Sequence, residues 1–137
     1  MGASDVDLDR RDVLTGIGLT AATAVGADLA KAEPSGRIRH QVFFWLKRAG
    51  NAEDRAKLVS GLKALATIPQ VRELHVGVPA GTEQRDVVDA SFDVSELMLF
   101  DTVADHKTYQ DHPVHQVFVA ACAPLWRKVV VYDSVAA

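Results

Sequence analysis

Residues Arg37 to Asp133 predict one small α+β domain, in the order strand-helix-strand-strand-helix-strand, whose four strands form an antiparallel sheet with both helices on one face. Three features predict it. The first strand segment alternates in period two yet carries large apolar side chains on both faces. Two segments of helical period each stand between strand patterns. A polar, turn-prone stretch joins the second strand to the third. A chain of 137 residues with 48% hydrophobic content suits a single compact domain. Its formal charge of -3 and isoelectric point near 5.9 provide no basic surface for a phosphate backbone, so nucleic acid is not an expected partner.

In the first strand Ile38, His40, Val42, Phe44 and Leu46 share one face, and Arg39, Gln41, Phe43, Trp45 and Lys47 the other. Such a strand expects cover on both sides: helices on one, something else on the other. Ala49-Gly50 breaks it, and Asn51 caps a helix with Glu53 and Asp54 in its first turn, where the helix dipole favours acids. Leu58, Val59, Leu62, Leu65 and Ala66 form the apolar stripe of that helix, which ends before Ile68-Pro69.

Val71 to Val78 returns to alternation, with Leu74, Val76 and Val78 on one side and Val71, Glu73, His75 and Gly77 on the other. Residues 79–85 make the long connection to a third strand over Ser91 to Phe100. Asp101 or Thr102 caps a short helix over Val103 to Tyr109, and helix resumes after His112-Pro113, with Val114, Val117, Phe118 and Ala121 as its apolar face. Asp105-His106-Lys107 reads as a solvated helix face. After Pro124, the β-branched run Val129-Val130-Val131 within Trp126 to Tyr132 reads as a central strand. The single cysteine, Cys122, forms no intrachain disulfide and suits a buried thiol, with an intermolecular bridge as the alternative.

The first 32 residues differ in kind. Arg10-Arg11 precedes the mildly apolar Gly/Ala/Thr-rich run from Val13 to Ala27, and Ala30-Lys31-Ala32 supplies small residues flanking a cleavage point. The segment reads as a twin-arginine export signal for a periplasmic or secreted protein, with residues 33–137 as the mature domain. Asp5, Asp7, Asp9 and Asp12 depart from that pattern by making its start acidic, and a retained amphipathic helix is the alternative. The apolar run is too short and weak for a stable membrane span.

Arg39 to Lys47, then Ile68-Pro69-Gln70-Val71, Val76-Gly77, Phe100-Asp101, Tyr109-Gln110-Asp111-His112-Pro113-Val114-His115 and Asp133 resemble, in order and spacing, the stress-responsive A/B-barrel (Dabb) domain. The Tyr-x-x-His-Pro-x-His run is the most specific element. The resemblance implies a ferredoxin-like βαββαβ protomer whose open sheet face packs on a second copy, giving a dimeric α/β barrel. It also implies a pocket between sheet and helices for a small organic molecule. In members that resemble plant polyketide cyclases, a Tyr and a His of that run close a ring without metal or cofactor. Carried over, the catalytic positions are Tyr109, His115 and the first-strand His40, with His112, Trp126, Leu58 and Phe44 as ligand-binding surroundings. Gly61 and Val94 depart from the cyclase pattern, standing where it has Tyr and His, and Ser134 replaces an aromatic.

The chemistry suits those types. An imidazole titrating near neutrality takes a proton from carbon next to a carbonyl, and a phenol orients or polarises that carbonyl. Two other readings stay open: a non-catalytic stress-response or ligand-binding barrel, and a metal site in which His40, His112 and His115 converge with His75 or Asp111 as outer partners. The expectation is for neither metal nor cofactor, haem included.

Overall fold

The computed structural model describes residues 36–137, so the expected export segment, residues 1–32, lies outside the described residues. Strands β1 (Ile38–Leu46), β2 (Glu73–Gly77), β3 (Val94–Phe100) and β4 (Trp126–Val135) form one antiparallel sheet in the order β2-β3-β1-β4. Helices α1 (Ala52–Ala64), α2 (Val103–Asp111) and α3 (Pro113–Cys122) supply the helical layer, two of them in place of the single second helix of a minimal split-βαβ unit. Among the described residues no helix is long and apolar enough to cross a membrane.

The alternation of β1 becomes burial. Ile38, His40, Val42, Phe44 and Leu46 are all buried towards the helices, while Arg39 and Gln41 are exposed. Register carries the same face across the sheet: Val94, Glu96, Met98 and Phe100 stand opposite Phe44, Val42, His40 and Ile38. Leu58, Leu62 and Leu65, spaced four and three apart, point onto this face and are fully buried, as is Ile68 beyond them. Burying each such side chain is worth about 1.5–3 kcal/mol, so this stripe is what seats α1. Asn51 caps α1 by accepting from the Asp54 N–H at 2.9 Å.

Gly61 lets α1 approach α3. A Cβ there would lie 2.8 Å from Cys122 Sγ and 3.2 Å from the Phe118 ring. The position that lacks a large side chain is thus a helix crossing. The Cys122 thiol is buried and free, and burial pushes its pKa up.

Thr102, rather than Asp101, caps α2 by accepting from the Asp105 N–H at 3.0 Å. The helix runs on to Asp111, so Tyr109 lies inside it. Pro113 then forces its predecessor into extended backbone, and His112 sits at φ -65° and ψ 138°. His112 thereby ends α2 and opens α3, its Nδ1 accepting from the Val114 N–H at 3.1 Å.

Two strand expectations are corrected. β4 is an edge strand and reaches Val135; its β-branched run reflects packing on the two sheet faces, which says nothing of lateral position. β3 begins at Val94: the Asp93 N–H still donates to the Phe44 carbonyl at 2.8 Å, but before it side chains replace the backbone ladder. The Asp93 carboxylate accepts from the Leu46 and Gly50 N–H groups at 2.9 and 2.8 Å, and Ser91 Oγ accepts from Trp45 Nε1 at 3.0 Å.

The face of the sheet away from the helices is apolar at its centre. Phe43 packs edge-on to Phe92 and Tyr132, with centroids 5.1 and 6.1 Å away. Lys128 Nζ stands 4.6 Å from the centre of the Trp45 ring, and with Ser91 it covers that end of β1. Tyr132 remains largely exposed on this face.

Candidate functional site

Between the helix-facing side of β1 and β4 and the joint of α2 and α3 lies a cavity of about 150 Å³. Val42, Phe44, Phe118, Trp126 and Val129 form most of its wall, and His40, Glu96, Tyr109 and His115 bring titratable groups to it. A larger open hollow of about 910 Å³ under the 79–92 connection carries Asp86 and Asp89 but neither His nor Tyr, so the convergent chemistry belongs to the smaller cavity.

Each group arrives from a different element. Tyr109, on α2, is 1% exposed, and its ring lies 4.9 Å from Phe100 and 6.0 Å from His40. Burial, reinforced by nearby Glu96, holds its phenol well above the usual tyrosine range, so it stays a hydrogen-bond donor. His115, on the first turns of α3, meets the Tyr109 ring at 4.7 Å in an edge contact. Burial, and next the proximity of His40, lower its pKa from 6.5, while a hydrogen bond to the Gln110 backbone opposes them. The neutral imidazole, which accepts a proton, is therefore favoured.

His40 stands between two carboxyl groups. Its Nδ1 is 2.6 Å from Asp133 Oδ1, and its Nε2 is 3.8 Å from Glu96 Oε1. A carboxylate only accepts, so Nδ1–H donates to Asp133 and, in the neutral ring, the lone pair of Nε2 faces Glu96. Glu96 is on β3 opposite Val42 and Val76, and its buried Oε1 has no hydrogen-bond partner. Burial alone pushes its carboxyl up to about 8. The 3.8 Å separation from His40 exceeds a hydrogen bond and leaves that desolvation uncompensated.

Of the residues singled out in the sequence, His40, Phe44, Tyr109, His115 and Trp126 line the cavity. Two do not. His112 is spent on capping α3, and Leu58 is fully buried in the core under α1. The trio suggested for a metal, His40, His112 and His115, does not form either: His112 Nδ1 is taken by the Val114 N–H, the ring beside His40 is that of His106, 4.8 Å away, and His75, the suggested outer partner, is largely exposed on β2. His106 is half-buried, packs on Phe100 at 5.2 Å, and has its pKa lowered by burial and then by His40; it is no solvated face. His106 precedes Tyr109 by one helical turn, a spacing that puts them on one side of α2. Glu96 is not among the residues singled out in the sequence, although a signal for it stands there: it shares the parity of Val94, Met98 and Phe100, an acid on the core side of an apolar strand.

A four-stranded antiparallel sheet, helices on one face, and a small cavity between them with imidazole, phenol and carboxyl groups define a ferredoxin-like α+β protein with a titratable pocket. The chain belongs to the Stress responsive A/B Barrel Domain (Dabb) family, whose model matches residues 38–136. No curated protein sequence matches it. Among solved structures it is similar to a Dabb family protein with a ferredoxin-like fold from Mesorhizobium loti, at 29% identity and TM-score 0.61, covering 74% of this chain and 98% of that one. It is similar in fold to the hydroxynitrile lyase of Passiflora edulis, at 23% identity and TM-score 0.64, covering 76% and 96%. A dimeric ferredoxin-like protein of unknown function from Thermobifida fusca shares 21% identity at TM-score 0.63, covering 77% and 96%.

Proposed function

We propose that the chain binds a small carbonyl compound in the sheet-helix cavity and moves protons on it with its own side chains. The observation that carries this reading is the convergence of His40, Glu96, Tyr109 and His115 on one otherwise apolar cavity. A volume of about 150 Å³ suits a molecule of roughly one ring, a size that cavities of this volume accept. His115, neutral near pH 7, is the base that takes a proton from the carbon beside the carbonyl or from a hydroxyl on it. The Tyr109 hydroxyl donates to the oxygen on which charge develops, and the Glu96 carboxyl is a second donor of the same kind. Asp133 holds the His40 ring in orientation at the cavity's edge. Lyase, cyclase and isomerase chemistry all use this step, and the fold neighbour from Passiflora edulis is a hydroxynitrile lyase.

The test is a screen of small aldehydes, ketones and hydroxynitriles for proton exchange or turnover, with His115→Ala and Tyr109→Phe as partners. Loss of the signal in both variants, with melting temperature nearly unchanged, supports the reading. A destabilised His115→Ala with an unaffected Tyr109→Phe makes the pair structural and the protein a non-catalytic stress or ligand-binding barrel.

The working form proposed is an exported homodimer. The apolar outer face around Phe43 and Tyr132 supports pairing, as does the dimeric description of the Thermobifida fusca neighbour. Arg10-Arg11 and the small-residue segment after it support the twin-arginine route.

A further inference from the structure

We infer that His40, His106 and Asp133 form a binding site for one divalent transition metal ion of the zinc class, set behind His40 on the side away from the cavity. One ligand atom from each of these residues lies within 4.8 Å of the others. They come from three separate elements, β1, α2 and β4. Their clustering is therefore a product of the tertiary fold and owes nothing to local sequence.

The donor set suits the ion. Two imidazoles and one carboxylate are ligands that Zn²⁺, and with adjusted geometry Co²⁺, Ni²⁺ or Cu²⁺, accept, and three protein ligands leave a fourth position for water. Ligand bonds of about 2.0–2.1 Å place tetrahedral donors about 3.3 Å apart. His40 Nδ1 and Asp133 Oδ1, now 2.6 Å apart, must open slightly, and the widest pair must close by about 1.5 Å. Asp133 is half exposed on the edge strand and His106 is half-buried on a helix surface, so both have room for that adjustment. The buried His40 is the fixed point.

A second observation points the same way. A metal-binding histidine commonly donates its other N–H to a carboxylate, which fixes the tautomer and strengthens the ligand. When Nδ1 of His40 binds the ion, its proton resides on Nε2, and Nε2 faces the buried, unpartnered Oε1 of Glu96 at 3.8 Å. The orphaned acceptor thus stands where an outer partner is needed. His106 and Asp133 do not line the cavity while His40 and Glu96 do, so an ion here would act on the pocket through His40. Loading would convert Nε2 from acceptor to donor.

The experiment is calorimetric titration of the metal-free full chain with Zn²⁺ alone, alongside Co²⁺ absorption spectra and melting curves at rising Zn²⁺. The expected result is saturable binding of one ion per chain, a tetrahedral Co²⁺ visible band, and a melting temperature that climbs with Zn²⁺ concentration. His106→Ala and the near-isosteric Asp133→Asn should each weaken binding at least about tenfold, and Glu96→Gln should weaken it to a smaller degree. His75→Ala, at an exposed histidine, should leave it unchanged. Absence of saturable binding overturns the inference. So does binding that survives both His106→Ala and Asp133→Asn, or that is lost with His75→Ala. None of these outcomes depends on whether the cavity turns over a carbonyl compound.

Discussion

Glu96 is an acid on the core side of a central strand, and burial without a partner makes the folded chain prefer its protonated form. Its ordinary pKa of 4.5 becomes about 8 in the fold, so its contribution to stability is fully present below 4.5 and is lost as the pH rises through about 8. Glu96→Gln keeps the shape and cannot ionise. In urea unfolding with chelator present, the variant should be more stable than the parent at pH 8, by on the order of a few kcal/mol, and the two should converge near pH 4.5. Equal pH profiles would show that the carboxyl finds a partner or water. His115 carries the opposite sign of consequence. Its pKa is lowered by burial and by its neighbours His40 and His106, against the Gln110 backbone, so its neutral form persists below 6.5. Any turnover that uses it as a base should have an acid limb with an apparent pKa under 6.5, and a limb at or above that value would assign the base elsewhere.

At the scale of elements, the α1–α3 crossing decides how far the helical layer closes over the sheet. Alanine at position 61 gains about 1 kcal/mol in helix propensity over glycine but drives a methyl into Cys122 Sγ and the Phe118 ring, a cost of about 1–3 kcal/mol for an overpacked core. Gly61→Ala should therefore lower stability, and adding Cys122→Ala should recover part of the loss, a coupling that a double-mutant cycle of urea midpoints measures. The crossing explains why a residue read in the sequence against a pocket pattern proves to be packing. The same distinction separates what was legible from what was not. Alternation in Ile38–Leu46, the Asn51 cap and the Leu58–Leu62–Leu65 stripe are local patterns, and each appears as read. Strand order is non-local, so Val129–Val131 gave no sign of being at an edge. His106 and Asp133 meet only through three elements, and Asp93 stops β3 by bonding to the backbone of Leu46 and Gly50, 47 and 43 residues away along the chain, so neither meeting leaves a mark in any short window of sequence.

At the scale of the whole molecule, the sheet has one face under helices and one face carrying Phe43, Phe92 and Tyr132. An apolar surface of that kind is stable in water when a second copy covers it. Sedimentation at micromolar concentration should give a dimer or a multiple of one, and Phe43→Lys, which places a charge at the centre of the face, should shift it towards monomer with the cavity residues in place. A stable parent monomer would remove the reason for the exposed aromatics. Export is tested on the same intact chain: a reporter active only after translocation should be carried by residues 1–32, and Arg10→Lys with Arg11→Lys should stop it. Transport that continues in the double variant would rule out the twin-arginine route.

The extended residue at the α2–α3 joint sets the angular phase of the proposed chemistry. Side chains on an unbroken α-helix advance about 100° per residue, so positions 109 and 115 on one continuous helix would diverge by about 120° and could not face each other. Their rings meet at 4.7 Å because His112 and Pro113 reset the rotation between them. Proline is thus a phase shifter here, and the spacing Tyr-x-x-His-Pro-x-His is meaningful only with its break intact. Replacing His112 and Pro113 together by alanine removes both the cap and the restriction on the residue before proline, and lets the two helices fuse. The fused form should gain helical ellipticity while losing the contact between Tyr109 and His115. A cavity that keeps all its side chains would then lose the proposed proton transfer, through rotation alone.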